Sequence, residues 1–435
     1  MTQKTFPNGL RAIIANRPSA GVYCGIAVDA GTRDELPNES GIAHFTEHMT
    51  FKGTRRRSAL QIINRLEGVG GELNAYTGKE ETVYYSAVEP KHLPRALDLL
   101  FDIVFNSTYP EEEMRREAEV VADEIESYND SPSELIFDEF DSLLFPNHPL
   151  GRNILGDAAA LRTHTHAVMS SYAARLYRPD NAVIFISGPV DEDKILRHLE
   201  PRVAALMPPP PFVHTEAASS IPATPVSGEA TPTRPATTET PPLHLQPREA
   251  PAPTVPEDKT VSRNVHQAHV LIGGRSLPAS HPERMALVLL NNILGGPGMN
   301  SRLNLSLRER SGLVYTVESN CTSYTDCGVW SVYFGCDKSD IRRCRGLVMR
   351  ELDRLMQSPL SERTLSAAKR QLCGQLALSY DQHEGIATGM GKTFLHYGIY
   401  RTAPEIIERI QDVTSSRLQD MAQLTFSNLS SLTYI

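Results

Sequence analysis

One stretch of this chain limits its architecture more than any other. Of the 31 prolines in 435 residues, 14 fall between Pro208 and Pro256. The remainder of that stretch is largely Thr, Ala, Ser and Glu, as in the run from Thr231 to Pro242, and it has no hydrophobic period. Such a composition cannot bury enough apolar surface to offset its ordering entropy. Residues 208–256 are therefore expected to be a disordered linker. A random coil of that length reaches about 40 Å, too loose to dictate how its flanks dock. What remains is two bodies, 1–207 and 257–435, each the size of one domain.

The two bodies share an order of elements. In the first, Val22, Cys24, Ile26 and Val28 alternate with Tyr23, Gly25 and Ala27, which is the period of a strand. A helix follows, then strands around 72–76 and 82–88, helices from about 91 to 177, a strand at 182–187 and a helix at 191–203. The second body opens with a strand near 269–273 and a helix near 282–294. Strands at 313–319 and 329–336 come next, then helices to about 424 and a closing strand near 429–434. Strands first and helices clustered later indicate an α+β fold. The repeated order implies an internal duplication of about 200 residues per unit.

Composition excludes several classes. The net charge of -9 argues against a nucleic-acid binder, which would be basic. No run of 18 apolar residues offers a membrane span, and residues 1–15 show no secretory pattern. A cytoplasmic location is the expectation. The six cysteines have no C-x-x-C spacing, so they read as reduced thiols rather than a zinc–cysteine site.

The most informative stretch is Asn38 to Thr54. As a helix, it puts Ile42, Phe45 and Met49 on one face and His44, Glu47 and His48 on another, with Asn38 as N-cap and Gly53 as stop. Histidines four apart project to one point above the helix, as two ligands of a tetrahedral zinc require. Glu47 lies beside them, placed to take a proton from a bound water. The pattern is H-x-x-E-H. A catalytic zinc needs a third protein ligand, often a carboxylate. A helix over 111–128 offers Glu117 and Glu124, two turns apart on one face, beside an apolar stripe of Val120, Val121 and Ile125. A core-facing glutamate is costly unless paired or metal-bound.

These residues resemble the pitrilysin family of inverzincin metallopeptidases, in the subfamily near the mitochondrial processing peptidase. The resemblance rests on Gly41 to Met49 with Phe51-Lys52-Gly53-Thr54, on Asn74-Ala75-Tyr76-Thr77, and on the helix carrying Glu117 and Glu124. It extends to His148-Pro149-Leu150-Gly151, to Ile154-Leu155-Gly156, and to Leu294-Gly295-Gly296, Ser301-Arg302-Leu303, Arg308 and Gly312-Leu313-Val314-Tyr315 in the second body. It covers both bodies and misses the linker.

The resemblance implies two homologous domains, each a mainly antiparallel sheet packed with helices. It assigns one zinc per chain to His44, His48 and Glu124, and makes Glu47 the general base. Glu117 resembles a glutamate that supports a ligand histidine. Asn74 and Ala75 lie where the family holds its peptide substrate as an added strand. Arg308 and Tyr315 resemble the pair from the second domain that closes over the substrate, Tyr315 being able to donate to an oxyanion. The implied activity is a zinc endopeptidase acting on extended peptides or unfolded segments. The alternative is a non-catalytic peptide-binding or scaffold subunit of the same fold. The family's chamber takes four such domains and this chain supplies two, so a homodimer is expected, with a heterodimer of homologous subunits as runner-up.

Overall fold

The computed structural model describes residues 1–206 and 248–435. The first body carries β1 (Thr2–Thr5), β2 (Arg11–Asn16), β3 (Val22–Val28), β4 (Glu72–Thr77), β5 (Thr82–Val88) and β6 (Ala182–Gly188). The second carries β7 (Asp258–Val261), β8 (Ala268–Ser276), β9 (Val314–Ser323), β10 (Gly328–Cys336) and β11 (Ser430–Tyr434). The first sheet runs β1-β2-β6-β3-β5-β4 and the second β7-β11-β8-β10-β9. Apart from β1 the two orders correspond strand for strand. Each sheet is antiparallel except for one pair, β2 with β6 and β7 with β11. These are the two α+β domains expected from the element order. No helix among the described residues is long and apolar enough to cross a membrane.

The first body does not open at Val22, as its alternation suggested. β1 and β2 precede it. β2 is the run Arg-Ala-Ile-Ile-Ala-Asn, buried from Arg11 through Ala15 because it lies between two strands and is covered on both faces. A strand buried on both faces shows no period of two. β1 and β7 are short, polar and exposed, so neither carries a hydrophobic signal.

Each sheet uses its two faces differently. Val22, Cys24, Ile26 and Val28 face the first body's own helices, Ile42–Thr50, Leu93–Asn106 and His166–Leu176 among them. The opposite face, with Ile13, Ala27, Val83 and Phe185, is covered by the helix His383–Tyr397 of the second body through Ala387, Met390 and Phe394. The exchange is reciprocal. The helix Pro132–Leu144 of the first body lays Ile136, Phe140 and Leu144 on the outer face of the second sheet, against Leu271, Tyr333 and Leu432. Each visiting helix is also capped by an arginine from the sheet it covers. Arg11 donates to the carbonyls of Phe394 and Leu395 (2.9 and 3.0 Å), and Arg275 donates to that of Leu144 (2.8 Å). Cations suit the carbonyl end of a helix, where backbone acceptors are unpaired.

Of the expected linker, residues 208–247 lie outside the described residues. Its last part does not behave as a free tether. The Arg248 side chain is buried, with its guanidinium on Asp29 (2.8 Å) and Asp34 (2.9 Å) of the first body. The Glu249 carbonyl accepts from Arg33 and the Ala252 carbonyl from Arg275. Charge pairing thus ties the stretch down before the second body begins, which composition alone could not reveal.

Gly391 lets the visiting helix approach the first sheet. A Cβ there would meet the Phe185 ring at 2.3 Å, whereas a Cβ at Gly389, on the same helix, would meet nothing within 4 Å. Gly391→Ala is expected to destabilise by about 1–3 kcal/mol through overpacking. Gly389→Ala should stabilise by about 0.5–1 kcal/mol through helix propensity. Denaturant unfolding of the two variants should give shifts of opposite sign.

Candidate metal centre

The histidine helix spans Ile42–Thr50. Its N-cap is Gly41 in a left-handed conformation (φ 78°), not Asn38. No side chain at the cap itself supplies the first turn's acceptor. Glu35 does so from outside, accepting from the Gly41 and Ala43 amides (3.2 and 3.0 Å). Burial pushes the Glu35 carboxyl up to about 8, against those two bonds and nearby Arg152. The backbones of Gly41 and Gly156 touch: a Cβ on Gly156 would meet the Gly41 Cα at 2.4 Å. That contact accounts for two of the sequence's glycine motifs at once. Ile42, Phe45 and Met49 are fully buried in the first core, which fixes the rotation of the helix.

That rotation sets His44 and His48 side by side, ring centroids 4.6 Å apart, facing the helix Glu111–Asn129. The apolar face of this second helix is Met114, Val121 and Ile125. Val120, expected in that stripe, is 53% exposed, because it falls between the buried turns. Glu124 reaches the histidines from it. His44 Nε2 lies 3.8 Å from Glu124 Oε1, and His48 Nε2 lies 3.5 Å from Glu124 Oε2. The three ligand atoms fall within 4.8 Å of one another. Tetrahedral zinc with bonds near 2.0–2.1 Å separates its ligand atoms by about 3.3 Å, so two imidazoles and a carboxylate at these spacings fit it.

Protonation sets the two histidines apart. Burial, then the neighbouring His48, pulls His44 down to about 3, so it is a neutral imidazole. His48 is also pulled down by burial, but Glu117, Glu47 and Glu124 outweigh this and raise it. Its Nδ1–H donates to Glu117 Oε1 (2.9 Å), which leaves the Nε2 lone pair directed at Glu124. Glu117 is buried, yet the bonds from His48 and from Lys52 (2.5 Å) hold it below the ordinary carboxylate range. His44 Nδ1 is buried and has no hydrogen-bond partner among the described residues. Glu47 is almost entirely buried, and burial raises it against one hydrogen bond, from Thr77 Oγ1 to Oε2 (2.6 Å).

Four of the sequence-derived site residues thus converge with Glu117. Asn74 and Ala75 lie on β4, one of the two edge strands of the first sheet, and point to opposite faces, with Ala75 against the first core. Arg308 and Tyr315 stand elsewhere. They line a cleft of about 560 Å³ in the second body with Asn291, Asn304 and Asn320, and no residue of the histidine cluster lines it. Tyr315 is 88% exposed. Two residues at the centre stand in motifs that carry the resemblance but receive no site role from it. Lys52 follows His48 by four, just past the end of that helix. Thr77 shares the parity of Leu73 and Ala75, the core-facing side of β4.

Residues 11–158 match the family model described as Insulinase (Peptidase family M16), and residues 164–372 match the Peptidase M16 inactive domain. The chain is 32% identical over 424 residues to an uncharacterized zinc protease of Bacillus subtilis (strain 168), covering 97% of this chain and 95% of that one. It is 31% identical over 435 residues to an uncharacterized zinc protease of Streptomyces coelicolor, covering 99% and 88%. Among solved structures it is similar to a peptidase M16 inactive domain from Pseudomonas fluorescens, with TM-score 0.85 and 19% identity over 100% of this chain and 97% of that one. A protease from Helicobacter pylori gives 0.83 and 19% over 100% and 98%. At those identities the structures speak to fold alone.

Glu117 orients His48 without being one of the three converging ligands. Glu117→Gln is therefore expected to weaken zinc binding by about 10–100-fold while leaving the fold intact. Competition against a chelator of known affinity measures this, and unchanged affinity would remove Glu117 from the site.

Proposed function

Because the chain belongs to the insulinase (M16) peptidase family, we propose that it is a zinc-dependent endopeptidase hydrolysing extended peptides or unfolded segments, with Glu47 as general base. The observation that carries this reading is the convergence of His44, His48 and Glu124 beside a buried Glu47.

Bound zinc supplies Lewis acidity, lowering the pKa of a coordinated water to about 7 and polarising a carbonyl. The residues of the chain do the rest. Glu47 accepts the water proton and returns it to the leaving amine. Its burial keeps that proton transfer out of bulk solvent. Glu117, itself held by Lys52, keeps His48 in the required tautomer. The open edge of β4 can pair with a peptide backbone whatever its side chains, which suits an unfolded segment.

Arg308 and Tyr315 enter through a second copy. They do not line the histidine cluster in their own chain, and both are solvent-facing, as residues meant for another subunit's site would be. The working unit in this reading is a homodimer, one copy's second body closing over the other's zinc.

Glu47→Gln should retain one zinc per chain and lose peptide hydrolysis by about 10²–10⁴-fold, followed by mass spectrometry of a peptide library. Cleavage at the wild-type rate would remove Glu47 from the mechanism. Mixing Glu47→Gln with Tyr315→Phe, each inactive alone, should recover activity in about a quarter of the sites, since half of a random mixture is mixed dimer with one intact site. A mixture as inactive as its parts would place Tyr315 in cis, and a Tyr315→Phe protein active on its own would place it outside the reaction.

A further inference from the structure

The hydrogen bond from Thr77 to Glu47 leads away from the zinc cluster to the seam between the bodies. Thr77 ends β4. The next four residues, Gly78-Lys79-Glu80-Glu81, form the turn into β5, closed by the Gly78 amide on the Glu81 carbonyl (2.7 Å). Its three charged side chains are buried, and each goes to a different place. Lys79 meets Asp138 on the helix Pro132–Leu144 (3.4 Å). Glu80 accepts from Arg33 (2.6 Å) and, across the seam, from the hydroxyl and amide of Thr325 (2.7 and 2.9 Å). Glu81 meets Lys392 (2.5 Å) and His396 (3.1 Å), both on the visiting helix His383–Tyr397. The turn backbone is held as well, the Arg33 amide donating to the Lys79 carbonyl (2.8 Å).

Buried carboxylates of this kind tolerate little displacement, because losing one partner leaves an uncompensated charge. Two of the three charges take partners from the second body. The last strand residue before them is the one that touches Glu47. The side-chain oxygen engaged by Thr77 is Oε2, so Oε1 is the oxygen left to take a proton.

We propose that the second body positions the general base of the first: Thr77 orients the Glu47 carboxylate, and the β4–β5 turn that carries Thr77 is held in place by Lys392 and His396 through Glu81 and by Thr325 through Glu80. Thr77, Glu81 and Lys392 are positioning residues here. The inference rests on the reading of Glu47 as the base. It gives the second body a task besides binding substrate.

The test uses full-length, zinc-loaded protein. Thr77→Val removes the hydroxyl at nearly constant volume and should lower kcat about tenfold, with KM and zinc content unchanged. Thr77→Ser restores the donor and should bring kcat back to within about twofold of wild type. Lys392→Met, on a half-exposed side chain across the seam, should lower kcat about threefold to tenfold and speed backbone hydrogen exchange over residues 77–82. A wild-type kcat in Thr77→Val overturns the proposal. So does a Thr77→Ser protein as slow as Thr77→Val, which would assign the loss to packing. A Lys392→Met protein with wild-type kcat and unchanged exchange overturns the link to the second body. The exchange arm needs no turnover. If the wild-type protein cleaves no peptide in a broad library, the reading of Glu47 as base fails, and exchange still decides whether the second body holds the turn.

Discussion

Each sheet of this protein has an outer face that its own body leaves bare. Everything else in the architecture follows from how those faces are covered. An apolar sheet face must meet another layer, and here the layer comes from the opposite body: His383–Tyr397 on the first sheet, Pro132–Leu144 on the second. The exchange makes the two bodies mutually dependent despite the long stretch that joins them. Arg11 and Arg275 lock the visiting helices by their carbonyl ends, and Arg248 pins the incoming chain to an acidic corner of the first body. The relative placement of the halves is therefore set by burial and charge and not by tether length.

The cluster of His44, His48 and Glu124 inherits its rigidity from this arrangement. His44 and His48 sit on a helix whose apolar face is wholly within the first core, and Glu124 comes from a neighbouring helix packed through Val121 and Ile125. Glu47 needs more than its helix, because a buried carboxylate has to be told which way to face. That instruction comes from β4, and β4 ends in the turn on which the two bodies meet. In the proposed mechanism the geometry of Glu47 and the docking of the two bodies share residues 77–81, and a cavity of about 750 Å³, lined in part by Lys79, Glu81, Arg284 and Lys392, opens at the same seam.

What the sequence disclosed and what it hid divide along physical lines. Short-range spacing was legible. Histidines four apart, a buried glutamate two turns before Glu124 and the alternation of β3 are local statements, and the structure places those residues accordingly. The duplication was legible too, because element order survives where sequence similarity does not. Hidden were β1, β2 and β7, either because burial on both faces erases the period of two or because an exposed polar edge has none. Hidden also was the N-cap, where Gly41 is served by Glu35 from outside the motif. Above all, nothing local marks Lys79, Glu80 and Glu81 as buried, since a run of three charges reads as a solvated turn until distant partners arrive, 59 residues away for Lys79 and 245 and 315 away for Glu80 and Glu81. Arg248 escaped for the same reason, a cation within a stretch whose composition argues for solvent.

In the proposed reaction His44, His48 and Glu124 hold a hydrolytic metal. X-ray absorption at the zinc edge of the purified, full-length protein tests it most directly. One zinc per chain is expected, with only nitrogen and oxygen neighbours at about 2.0–2.1 Å and the outer-shell signature of two imidazoles, which is lost in His44→Ala and in His48→Ala. Sulfur neighbours near 2.3 Å, or a zinc signal indifferent to both substitutions, would contradict it.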